Sequence, residues 1–170
     1  CNLEPRVTAL LLRDLADGNK PEVNDKTVTI TSYLGRRTVT LTDYVTAVQR
    51  MRPDLAIAFH DEVPFSAGNN RCRASVDRTV RWLKDTLAAL SPPSDSRCAS
   101  THTEAGPPDA KSRRVCARPV QLVAHVPLVK EPAAQAKAFS EICDIIRHEN
   151  EGAVAAGGPA RVVGVSLGGV

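Results

Sequence analysis

Two hydrophobic rhythms alternate along this chain. In "KTVTITSYLGRRTVTL" apolar and polar residues alternate on both sides of Tyr33-Leu34-Gly35-Arg36, with Val28 and Ile30 on one arm and Val39 and Leu41 on the other. Alternation with period two around a glycine-containing turn predicts a β-hairpin. Thr42 is then placed to cap a helix reaching about Arg52, with Tyr44, Val45, Val48 and Met51 inward and Pro53 as its stop. Leu55 to Phe59 is short and uniformly apolar, which suits a strand buried on both faces. Beyond it Cys72, Val76, Val80, Leu83, Leu87 and Leu90 step by fours and threes, the stripe of an amphipathic helix. Asn69 or Asn70 can start that helix, and Ser91-Pro92-Pro93 ends it.

Residues 91–118 hold Ser, Pro, Ala and Arg with almost nothing apolar to bury, which predicts a largely disordered linker or surface insertion. The apolar strand rhythm returns at Val120 to Val126. A helix is expected from about Pro132 to His148, with Phe139, Ile142, Cys143 and Ile146 on one face. "GAVAAGGPA" reads as a turn, and Arg161 to Leu167 as a third buried strand. The order is therefore hairpin, then α, β, α, β, α, β.

Short apolar strands alternating with amphipathic helices imply an α/β fold of parallel βαβ units, here one domain across residues 1–170. The pattern does not separate an open doubly wound sheet from a barrel. Both carry their chemistry at the C-terminal ends of the strands. Three segments would project from that edge: His60-Asp61-Glu62, His125-Val126-Pro127 and Gly168-Gly169-Val170.

Composition narrows the class. Hydrophobic residues make up 42% of the chain and charged residues 24%, the balance of a globular domain. The net charge of +3 is too small to argue for nucleic acid by itself. Its distribution says more, since Arg71, Arg73, Arg78, Arg81 and Lys84 crowd one helix, where they either contact phosphates or form a solvated face. No apolar run reaches the ~20 residues of a membrane span. Five scattered cysteines without C-x-x-C argue for reduced thiols and against a disulfide framework or zinc knuckle. The chain begins at Cys1 and ends on "VVGVSLGGV", so a fragment of a longer protein is expected.

His60-Asp61-Glu62 invites three readings: an acid/base pair, a hydrogen-bonding pocket for a planar polar ligand, or a solvated strand end. Adjacent strand-end residues point opposite ways, which disfavours Asp61 and Glu62 as a working pair. His60 and His125 would need a third ligand to hold a metal, and Cys143 and His148 belong to a helix far from the strand ends, so no metal site is expected within the chain. Gly168-Gly169 belongs to no G-x-G-x-x-G or G-K-[ST] phosphate loop. It does suit a backbone that approaches a flat ligand with no Cβ in the way.

"IAFHDEVPFSA" followed by "RASVDRTVRWL" resembles, at closely similar spacing, a segment like "MAFDECTPYPA…A..SVERTLRWL" of the tRNA-guanine transglycosylases. The terminal "GVSLGGV" is similar to that family's "GYAIGGL", and Val123 to Pro127 fall on its "GIVQGG" strand. The resemblance covers most of the chain from residue 26 onward, apart from the 91–118 insertion. It implies part of a TIM (β/α)8 barrel preceded by a β-hairpin, and an enzyme that exchanges a guanine in the tRNA anticodon. His60 then stands where the family has a purine-reading aspartate, and His125 where it has a glutamine. Gly168, Gly169 and Val170 would border the same pocket, with Asp61 one position displaced from the purine contact.

The family's nucleophilic aspartate and its Cys/Cys/Cys/His zinc ligands lie further downstream than this chain reaches, so zinc is expected only in full-length members. Losing both purine readers resembles the non-catalytic members, which support a catalytic subunit in a heterodimer acting on tRNA. Arg71, Arg73, Arg78 and Arg81 become expected tRNA contacts. The location implied is cytoplasmic, or peripheral on the mitochondrial outer membrane. Two rivals stand beside this reading: a divergent catalytic subunit in which Asp61 recovers the purine contact, and an unrelated α/β protein binding a phosphorylated small molecule.

Overall fold

The structure is a computed structural model that describes residues 7–12, 23–64, 66–91, 120–155 and 162–168. The expected insertion at 91–118 lies, apart from Ser91, outside the described residues, as do Gly169 and Val170. Among the described residues nine elements follow in order: β1 (Ala9–Leu10), β2 (Thr27–Ser32), β3 (Gly35–Thr40), α1 (Leu41–Met51), β4 (Leu55–Ile57), α2 (Asn69–Leu90), β5 (Gln121–Pro127), α3 (Pro132–Ala155) and β6 (Val162–Gly168).

Strands β2 and β3 form the expected hairpin, in register from Thr27↔Thr40 to Ser32↔Gly35, with Tyr33-Leu34 as a two-residue loop. Gly35 takes a positive φ of 98°, a backbone that a side chain would strain. The alternation buries Val28 and brings Ile30 and Val39 against the core. Leu41 is not part of the strand, because the helix starts two residues earlier than expected. Thr40, not Thr42, forms a capping box: its Oγ1 accepts from Asp43 N at 3.1 Å, and Asp43 Oδ2 accepts from Thr40 N at 3.0 Å. Helix α1 buries Tyr44, Val45 and Val48 but leaves Met51 exposed on its last turn, just before the chain reverses at Arg52 (φ 46°).

The sheet runs β1-β4-β5-β6, all parallel. Spatial order equals chain order, whereas a doubly wound sheet reverses direction at a switch point. Progressive winding of this kind is what an arc of a (β/α) barrel requires. A clamp starts the sheet: Thr8 N and Oγ1 donate to Asp54 Oδ2 at 2.8 and 3.0 Å, and Asp54 N donates back to Thr8 Oγ1 at 3.2 Å. Phe59, fully buried just beyond β4, packs its ring 4.6 Å edge-on from Trp82 and 5.6 Å from Tyr44, joining α1 and α2 to the sheet.

Helix α2 buries the expected stripe through Leu87 together with Ser75, Thr79, Trp82 and Thr86; its N-cap is Gly68, without a side-chain cap. Helix α3 departs from expectation twice. It continues past His148 to Ala155, and while Ile142 is buried and Ile146 packs against the core as expected, Ala134 and Ala138 complete the buried face. Phe139 and Cys143 are exposed. Alanines let the α3 backbone approach α2 and β5 closely, and close approach outweighed the larger side chains in choosing the inward face. On β6, Val163, Val165 and Leu167 are exposed, alternating with Val162, Gly164 and Ser166, which are more covered.

Candidate functional site at the strand ends

His60, Asp61 and Glu62 follow β4, and their side chains divide between different partners. Asp61 turns toward α2. His60 and Glu62 turn the other way, toward the interior edge of the sheet, where His125 of β5 meets them. The chain after β4 meets β5 at the His60–His125 contact, and His125 pairs in register with Ser166, and Pro127 with Gly168, on β6; Gly169 and Val170 of the third expected segment lie outside the described residues.

The histidines form a stack: their ring centroids are 3.7 Å apart with planes 21° from parallel. His60 Nδ1 lies 2.7 Å from the Ala58 carbonyl oxygen, and its Nε2 lies 3.2 Å from Glu62 Oε1. His125 Nδ1 lies 3.0 Å from Ser166 Oγ. All three side chains are buried, at 5%, 5% and 3% exposure for His60, Glu62 and His125. Sequence reasoning sought the third polar partner on α3 and overlooked Glu62. The signal was the i, i+2 spacing of His60 and Glu62, the separation at which two side chains of an extended segment share a side.

Asp61 has a different task. Its carboxylate is fully buried and receives Arg71 in a bidentate pair at 2.6 and 2.8 Å and Arg78 Nη1 as well. Its backbone is pinned too: Asp61 N donates to Thr79 Oγ1 at 3.1 Å, and Ser75 Oγ donates to Asp61 O at 2.8 Å. The "ASVDRT" stretch of α2 thus supplies a hydroxyl at each of two successive turns, and Arg78 beside them, to fasten the strand end. Hydrogen bonding to Asp61 holds the Arg71 guanidinium above its ordinary pKa. Arg78 also reaches out to Asp25 at 2.9 Å, where it holds that exposed carboxyl below the usual range.

The four arginines expected at tRNA all lie on α2 and all form intramolecular contacts. Arg71 and Arg78 clamp Asp61. Arg73 donates from Nε to Glu131 at 3.0 and 3.2 Å, tying α2 to the start of α3, and lowers the Glu131 pKa by that hydrogen bonding. Arg81 donates to the Asp25 carbonyl at 3.2 Å. Arg73 and Arg81 remain 62% and 53% exposed, so their guanidiniums still face solvent; Arg78, at 11%, does not.

A progressively wound parallel sheet of four strands, with a buried polar constellation at its C-terminal edge, is the arrangement of part of a (β/α) fold. Residues 12–151 match the family described as Queuine tRNA-ribosyltransferase, and the chain belongs to that family. It is also similar to a protein named Queuine tRNA-ribosyltransferase accessory subunit 2 from Anopheles gambiae, with 32% identity over 82 residues. The matched segment is 47% of this chain and 19% of that protein's length. Of the cysteines among the described residues, Cys72 is buried in α2 and Cys143 is exposed on α3.

Proposed function

We propose that this chain is part of a non-catalytic accessory subunit of a queuine tRNA-ribosyltransferase. It would support a catalytic partner subunit that exchanges guanine for queuine at the tRNA wobble position. The observation that carries the reading is the stacked His60–His125 pair. These rings occupy the two positions where the family resemblance expects a purine-reading aspartate and glutamine. Two imidazoles packed on each other with Glu62 at their edge present a different donor–acceptor pattern from an aspartate and a glutamine. A site that recognises a base by paired hydrogen bonds loses discrimination when those partners go.

Asp61 supports the same reading against the divergent-enzyme alternative, because both of its oxygens are committed to Arg71 and Arg78. The tRNA role rests on Arg73 and Arg81, whose exposed guanidiniums can add phosphate contacts. Zinc in the full-length protein, and a cytoplasmic or mitochondrial-surface location, belong to this proposal by resemblance alone. No helix among the described residues is long and apolar enough to cross a membrane.

The test is base exchange into tRNA by the full-length protein, alone and mixed with its catalytic partner. Exchange only in the mixture is expected. Efficient exchange by this subunit alone would overturn the proposal.

A further inference from the structure

We propose that the tip of the β2–β3 hairpin is an RNA-contact surface, on which Tyr33 stacks against an unpaired base while Arg36 and Arg37 hold the flanking phosphates. The inference rests on the tRNA role proposed above for which RNA is bound, and on the hairpin alone for how it is bound.

The hairpin is buried at its root and bare at its tip. Val28 is 1% exposed and Ile30 and Val39 pack against the core, whereas Tyr33 is 97% and Leu34 64% exposed. A ring left in water on a two-residue loop contributes nothing to the core of this chain. The loop nevertheless holds it firmly. Ser32 Oγ donates to Gly35 O at 3.0 Å and accepts from Leu34 N at 3.3 Å, and Gly35 supplies the positive φ that closes the turn. The root is fastened as well: Asn24 Oδ1 accepts from Lys26 N and Thr27 N at 3.0 and 2.9 Å, and Asp25 is tied to Arg78 and Arg81 of α2. A ring presented on a rigid loop loses little further freedom when a flat partner settles on it.

Charge and hydroxyls select the partner. From Lys26 to Thr42 the chain carries Lys26, Arg36 and Arg37 and no carboxylate, and all three cationic residues are exposed. The flanking carboxylates, Asp25 and Asp43, are engaged by Arg78 and by the Thr40 cap. Adjacent residues of a strand face opposite ways, so Arg36 and Arg37 lie on the two faces of the ribbon. Arg36 stands opposite Thr31, on the face of Thr29 and Thr38, and Arg37 opposite Ile30. A strand crossing the tip therefore meets a guanidinium on each side of the ring. Guanidiniums and hydroxyls are the groups that contact phosphate oxygens, and aromatic side chains are the platforms for splayed-out bases of single-stranded RNA. A two-residue loop offers one ring, so one base is engaged without reading its sequence. An anionic membrane fits less well, because membrane binding grows with the apolar area buried and the tip supplies little beyond Tyr33 and Leu34.

The test uses the full-length protein with labelled tRNA, a short single-stranded RNA, the duplex of that RNA, and phosphatidylserine–phosphatidylcholine vesicles. Tyr33→Ala should weaken tRNA and single-strand binding roughly 5- to 150-fold, the range of one lost base stack, with duplex affinity little changed. Tyr33→Phe should keep the parent's affinity, because the ring face remains. Arg36→Gln and Arg37→Gln should each lower the salt slope of single-strand binding by about 0.7. These side chains are exposed, so unchanged thermal melts should accompany the losses. No RNA binding by the parent, unchanged RNA affinity in Tyr33→Ala, or an equal loss in Tyr33→Phe would overturn the proposal. Vesicle binding lost in Tyr33→Ala with RNA affinity intact would overturn it in favour of a membrane contact. Base-exchange assays keep the two readings apart. Unchanged affinity in Tyr33→Ala, alongside exchange that needs the catalytic partner, removes the hairpin contact alone. Exchange by this subunit without its partner removes the accessory reading alone.

Discussion

Replacing Asp61 by asparagine tests whether the strand end is a fastening or a base-reading group. The substitution keeps the shape and removes the charge. Asp61 accepts three hydrogen bonds from guanidiniums, two from Arg71 and one from Arg78. Removing one partner of a buried ion pair costs about 3–5 kcal/mol. Arg71 is 37% exposed and can recover hydration, so its share is discounted. Arg78, 11% exposed, bears most of the loss.

Asp61→Asn should therefore cost roughly 3 kcal/mol, and Arg78→Met about 2 kcal/mol, because Arg71 still neutralises the carboxylate. For a chain of this size the first value is a fall in Tm of about 6–12 °C. The assay is urea and thermal unfolding of the parent, both single variants and the double variant, with coupling of about 1–2 kcal/mol expected from the cycle. Asp61→Asn within about 0.5 kcal/mol of the parent, together with loss of guanine binding, would refute the fastening role and restore Asp61 as a purine reader.

Phe59→Ala empties the junction of α1, α2 and the sheet and should cost about 3–5 kcal/mol, read as a drop in denaturation midpoint; a loss under about 1 kcal/mol would contradict the aromatic cluster. Asp25, Asp43 and Glu131 are all held below their ordinary carboxylate pKa values by hydrogen-bonding partners. Depressed folded values mean stability present at neutral pH and lost as pH falls through and below the ordinary carboxylate range. Midpoints at pH 6 and pH 3 should show that decline, reduced in Arg73→Gln, and a flat profile would contradict it. Val165→Lys and Leu167→Lys replace exposed apolar residues of β6 and should shift the 170-residue chain toward monomer on size exclusion. No change in elution would show that this face does not drive association.

Much of the architecture was legible because local rules dominated it. The hairpin and the α2 stripe follow from clean periods of two and 3.6, and β4 and β5 from short unbroken apolar runs, whereas β6, expected as a third buried strand, exposes Val163, Val165 and Leu167. Predictions failed where packing partners decide. Thr40 rather than Thr42 caps α1 because Asp43, not the apolar period, supplies the reciprocal hydrogen bond. The inward face of α3 follows two alanines, which carry no strong hydrophobic signal but permit close approach. Convergence of the strand ends was readable from topology alone. The division of labour within His60-Asp61-Glu62 was not, since it depends on α2 delivering Arg71 and Arg78 to one side and β5 delivering His125 to the other.

The equality of spatial and chain order in the sheet has a consequence for biosynthesis. Each new strand lies beside one already made, so no later segment has to insert between earlier neighbours. The fold can therefore be laid down from the N-terminus as the ribosome releases it, in the direction in which domains form during synthesis. Until its own successor arrives, each freshly added strand presents a parallel edge and an uncovered apolar face. An uncovered apolar face of this kind is the surface on which a chaperone would be of most use during synthesis.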